Sequence, residues 1–108
     1  MIATLLRLEL LVPGSRSLKE KRGPLKSLQA RLQQRFGCAV AEVDHQDDRM
    51  RATLGVALVS GDGAHLAERI QAVKAFAGGD PRLNLVSAGE ITVDGPEPWD
   101  GFIDPGAG

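Results

Sequence analysis

The chain of 108 residues holds one cysteine, one tryptophan and three phenylalanines, and aromatic residues make up only 4% of it. A single thiol, Cys38, excludes an internal disulfide, so a reducing, cytoplasmic setting is expected. Long apolar runs are missing as well. The best candidate, Ala52–Val59, is strand-sized and far too short to cross a bilayer, so no membrane partner is expected. The opening MIATLLRLELLV has no basic residues ahead of its apolar ones and no small-residue cleavage site, which argues against a signal peptide. Histidine is scarce too. His45 and His65 stand in no HxH spacing, and no nucleophile–base arrangement can be read around either.

What the chain does have is a hidden asymmetry of charge. Its formal net charge is −1. Residues 1–36 nevertheless carry eight basic side chains (Arg7, Arg16, Lys19, Lys21, Arg22, Lys26, Arg31 and Arg35) against Glu9 and Glu20, which leaves +6. Residues 37–108 carry five basic and twelve acidic side chains, which leaves −7. Such a split points to an anionic partner for the first part of the chain. A basic surface helix beside an acidic loop would produce it equally well.

Alternation over Ile2–Val12 predicts a strand, with Ile2, Thr4, Leu6, Leu8, Leu10 and Val12 on the core side. Ser17 and Glu20 form a capping box that starts a helix. Along that helix Leu18, Leu25, Leu28, Leu32 and Phe36 make one apolar stripe, and Gly37 ends it. Gly23-Pro24 predicts a kink or brief break, because proline lacks the amide proton and crowds the carbonyl of Glu20. Cys38–Asp44 and Met50–Ser60 read as two strands joined by the polar turn His45–Arg49. Asp62 caps a second helix with Leu66, Ile70, Val73 and Ala77 inward, and Gly78-Gly79-Asp80-Pro81 stops it. Leu83–Val93 is a last strand with a bulge expected at Ala88-Gly89.

The order β-α-β-β-α-β predicts an α+β, ferredoxin-like sandwich, an antiparallel sheet of order 4-1-3-2 with both helices on one face. The domain is expected over residues 1–93. Residues 94–108 are rich in proline, glycine and acid and read as a tail, in which Trp99, Phe102 and Ile103 are the anchoring candidates.

Four blocks carry a family resemblance: SLKEKR (Ser17–Arg22), KSLQARLQQRFG (Lys26–Gly37), VAEVDHQD (Val40–Asp47) and RATLGVALVS (Arg51–Ser60). Together they resemble the YlxP-like bacterial proteins, the domain of unknown function numbered 503. The resemblance implies a ferredoxin-like fold and a gene set among those for translation initiation and ribosome maturation. It brings no established reaction and no agreed catalytic residues. Relatives commonly place an aromatic residue in the hairpin after the AEVD segment, where this chain has Arg49. The tail after Asp94 looks like an addition to the family pattern.

The candidate sites follow. Lys19, Arg22 and Lys26, helped by Arg16, line up on one helix face and suit a phosphate backbone, which points to structured RNA or the ribosome as partner. The plainer account is the solvated face of an amphipathic helix. Base stacking on the sheet, as in RNA-recognition modules, is disfavoured, because neither Ile2–Val12 nor Met50–Ser60 contains an aromatic residue. Gly14-Ser15-Arg16-Ser17 ahead of free helix amides would suit an anion, although a cap explains the same residues. Glu42 and Asp44, expected on one strand face, would take a metal with Asp47, but a polar turn is simpler and no metal is assigned. Cys38 is expected to be buried and unreactive. Leu5, Gly55 and Ala57, with Ala3, Leu11 and Val59, form an open apolar sheet face suited to homodimer formation. No catalytic residue and no cofactor is assigned. The expected function is therefore a non-enzymatic binding module, with a dimeric protein-interaction module as the alternative.

Overall fold

The protein is described by a computed structural model, in which residues 1–96 are the ones described. In chain order it forms β1 (Ile2–Leu11), α1 (Leu18–Phe36), β2 (Ala39–Asp44), β3 (Arg51–Ser60), α2 (Gly63–Gly78) and β4 (Asn84–Asp94). The four strands make one antiparallel sheet in the order β2-β3-β1-β4, the expected order read from the other edge.

β1 is central because it alternates without interruption. Leu6, Leu8 and Leu10 are at most 2% exposed and meet Val56, Leu54 and Ala52 of β3 in register. Against this face both helices lay their apolar stripes, Leu25, Leu28 and Leu32 from α1 and Leu66, Ile70, Val73 and Ala77 from α2. At the outer ends of the helices, Phe36 and Phe76 meet edge-on with their rings 5.8 Å apart. No helix among the described residues is long and apolar enough to cross a membrane.

Both helix starts are capped as expected. Ser17 Oγ accepts from the Glu20 amide at 3.1 Å, and Asp62 Oδ1 accepts from the Ala64 and His65 amides. Gly37 closes α1 in the left-handed conformation, φ 59°, with its amide on Gln33 O.

Two local expectations are corrected. The break at Gly23-Pro24 does not occur, and α1 is one helix of 19 residues with Pro24 inside it. Lys21 and Leu25, one on each side of the Gly23-Pro24 pair, are both buried against the sheet, so packing holds the helix across the one bond that proline removes. The bulge in β4 lies elsewhere too. The register shifts opposite the Glu9/Leu10 step, which makes Val86 the extra residue, while Gly89 pairs regularly with Arg7. That extra residue lets Leu85 turn inward beside Leu10 while Ser87 stays outward beside Glu9.

Candidate binding surfaces on α1 and the open sheet face

The first surprise on α1 is a lysine in the core. Lys21 is 2% exposed. Its Nζ donates to His45 O at 3.0 Å and Arg51 O at 3.1 Å, and it sits 3.2 Å from Glu42 Oε2. The ammonium has three donors, and it directs two of them to the carbonyls at either end of the β2–β3 turn. The Glu42 contact is an ion pair without hydrogen-bond geometry, so Glu42 Oε2 is buried with only the nearby charge to compensate it. One signal in the sequence marks this position. The apolar stripe of α1 steps seven positions from Leu18 to Leu25, and Lys21 fills the vacant place on the inner face.

The opposite face of α1 holds the expected basic stripe. Lys19, Arg22 and Lys26 are all exposed, as is Arg16 just before the helix. Among the described residues none of the four is in an ion pair, whereas Arg31 of the same helix is 2.6 Å from Asp80. Arg35 lies over the Phe76 ring at 5.3 Å. The structure thus splits the basic residues of α1 into three groups: one buried, two engaged at the far end and a free row near the start.

The start of α1 is already occupied. Glu20 Oε2 accepts from the Arg16 amide at 2.6 Å, and Ser15 Oγ donates to Ser17 O. The chain's own carboxylate sits where an external anion would bind, so the cap accounts for this motif.

In the hairpin, Glu42 and Asp44 part company. The register shifts between them, with Glu42 opposite Leu54 and Asp44 opposite Thr53, so Val43 is an extra residue. Glu42 faces Lys21 and the helices. Asp44 turns to the other side and accepts from Arg7 at 3.0 Å. The expectation that these two carboxylates share a face is therefore wrong. Asp44 also caps its own turn by accepting from the His45 amide, and this bond, then Arg7, holds its carboxyl below the usual range. His45 itself takes a left-handed backbone, φ 60°, which aims its carbonyl at Lys21. Asp48 accepts from the amides of Met50 and Arg51, so it too is bound to the turn.

On the open face Arg7 links Glu9 and Asp44, and Glu9 also accepts from the buried Thr53 hydroxyl at 2.7 Å. The Thr53 bond, then Arg7, keeps the Glu9 carboxyl low against the opposing effect of burial. Beyond this charged end the face turns apolar. Leu5, Val59, Ile91 and Val93 are all more than half exposed, and Val43 is 49% exposed. Leu5, Gly55 and Ala57, the expected interface residues, stand together here, with Leu5 opposite Ala57 in the pairing. Gly55 has a local reason to be glycine, since an added Cβ would lie 2.9 Å from a Val43 methyl.

Two remaining candidates resolve simply. Cys38 is buried, its Sγ donates to Leu32 O, and burial pushes its thiol up in pKa. His65 is exposed in the first turn of α2, where its backbone amide serves the Asp62 cap. Trp99, Phe102 and Ile103 lie outside the described residues.

Fold and surfaces together define a small ferredoxin-like α+β sandwich with one basic helix face and one open apolar sheet face. The chain belongs to the family described as "Protein of unknown function (DUF503)", whose model matches residues 3–89. That match begins in β1 and reaches Gly89 in β4. Among its relatives is "Uncharacterized protein YlxP" of Bacillus subtilis (strain 168), 33% identical over 75 residues, which cover 69% of this chain and 82% of the relative.

Proposed function

We propose that the protein is a non-enzymatic binding module that docks on structured RNA or the ribosome through the outer face of α1. One observation carries the reading. Lys19, Arg22 and Lys26 are exposed in a row and have no ion-pair partner among the described residues, while Lys21 and Arg31 of the same helix are committed to carboxylates. At about 1.5 Å per residue the row is about 10 Å long, enough to follow a few phosphates of one strand. RNA is preferred to other polyanions because the family resemblance places the gene among those for translation. The sheet supplies no stacking platform, since its open face presents aliphatic side chains.

Three phosphate contacts make a specific demand on salt. Affinity for ribosomal RNA should fall about 20- to 40-fold between 50 and 200 mM salt. Reversing all three charges (Lys19→Glu, Arg22→Glu and Lys26→Glu) should abolish cosedimentation with ribosomal fractions. Unchanged cosedimentation would sink the proposal.

A second reading rests on a different observation, the exposed Leu5, Val59, Ile91 and Val93 on the open sheet face. It makes that face a protein-contacting surface, with no nucleic acid involved. A pull-down from native extract with and without nuclease separates the two.

A further inference from the structure

The strand register sets side chains on the open face in rows. One row reads Ala39 on β2, Ala57 on β3, Leu5 on β1 and Ile91 on β4. Two small residues are followed by two large ones. Leu5 is 58% and Ile91 67% exposed, so the β1–β4 half stands up as a ridge. Beside it, over β2 and β3, lies a hollow of about 370 Å³ lined by Ala39, Gly55 and Ala57 and bordered by Leu5. The next row reads Ala41, Gly55, Arg7 and Gly89, so the ridge there is Arg7 alone.

We infer that a second copy of the chain covers this face, in a two-fold dimer whose axis runs between the two sheets, parallel to the strands, at the β1–β3 boundary. The inference rests on the protein-contact reading of the face. Such an axis exchanges the two halves of the sheet but keeps each row opposite itself. Leu5 then meets the partner's Ala57, Ile91 meets the partner's Ala39, and each ridge enters the other copy's hollow. Two-fold contacts require this kind of self-complementarity.

Area supports the same occupant. Strands about 4.8 Å apart, of 10, 6, 10 and 11 residues at about 3.3 Å each, make a face of roughly 600 Å². Two such faces bury roughly 1,200 Å², above the roughly 1,000 Å² expected of a specific contact. Sheets stacked this way lie within about 30° of alignment, as in β-sandwiches.

Sedimentation of the full chain tests the dimer. The expected mass is twice the chain's 11.5 kDa. Leu5→Asp and Ala57→Lys should each weaken the dimer at least about 100-fold, because each buries a lone charge. An equimolar mixture of the two should recover it, since the axis brings the two opposite charges together. Ile91→Lys, on an edge strand, is the further variant if either of these fails to fold, and it should also be monomeric. Loss in the single variants without recovery in the mixture would overturn this axis and leave the protein-contact reading standing. A strictly monomeric wild-type chain would overturn the dimer itself. In that case a Trp99 emission that Ile91→Lys shifts to the red would identify residues 97–108 as the cover.

Discussion

Lys19 and Lys21 stand two residues apart on one helix, carry the same charge and do opposite jobs. Lys19 points to solvent with Arg22 and Lys26, and among the described residues it has no ion-pair partner. Lys21 points inward, with its ammonium held by two carbonyls of the β2–β3 turn and beside Glu42. A helix turns 100° per residue, so a step of two moves a side chain to the far face. The contrast teaches that charge counts along this helix overstate its binding face. Of its basic residues one is spent on architecture, two on the contacts around Phe76 and Asp80, and the remaining row faces outward.

Breaking the inner side of that comparison should cost most. Lys21→Ala leaves Glu42 and two carbonyls buried without their partner, and the expected loss is about 3–5 kcal/mol of stability in urea unfolding. Pairing Lys21→Met with Glu42→Gln removes the stranded charge and should restore part of it. A loss below about 1 kcal/mol would mean that the contacts of the Lys21 ammonium are not structural.

Asp80 tests the same idea at the other end of α1. Its side chain is 2% exposed and receives Arg31, Arg82 and the Arg82 amide. Burial by itself would raise its pKa, but the Arg82 amide and the two guanidiniums outweigh it and hold the carboxyl below its usual value. A carboxyl with a lowered folded pKa stabilises the fold above its unfolded pKa of about 4, and that contribution is lost as pH falls through the folded value. Asp80→Asn should therefore cost about 2 kcal/mol at pH 7. Thermal melts between pH 7 and pH 2 should show a weaker acid dependence in the variant than in the wild type. Parallel curves would remove Asp80 from the account.

The outer row should show the smallest effect on folding. Lys19→Ala, Arg22→Ala and Lys26→Ala together should change stability by no more than about 0.5 kcal/mol. Their cost should appear only in salt-sensitive association. A large loss of stability would move the row into the architecture beside Lys21.

Most of the fold could be read from periodicity. Both helix caps, the inner stripes of α1 and α2, the six elements and the strand order all follow from local pattern, and the structure shows each of them. The residues that escaped are those whose partners are distant in sequence. Lys21 meets His45 and Arg51, 24 and 30 positions away, so nothing local marks it except the gap in the leucine stripe. The extra residue at Val43 carries no glycine or proline to announce it. Arg7, Glu9, Thr53 and Asp44 come together only through the pairing of three strands. Pro24 misled for the opposite reason. Its local preference was read correctly, and tertiary packing overrode it.

The extra residue in β2 has one more consequence, best put as parity. A strand is a two-beat count, in which odd and even positions belong to different sides. Val43 adds a beat, so every position after it changes allegiance. Asp44 thereby joins Arg7 instead of Glu42. Without the added beat, two acids would compete for the single ammonium of Lys21, and Arg7 would lose one of its anions. A silent insertion of one aliphatic residue thus sorts the hairpin's negative charge between the inside and the outside of the molecule.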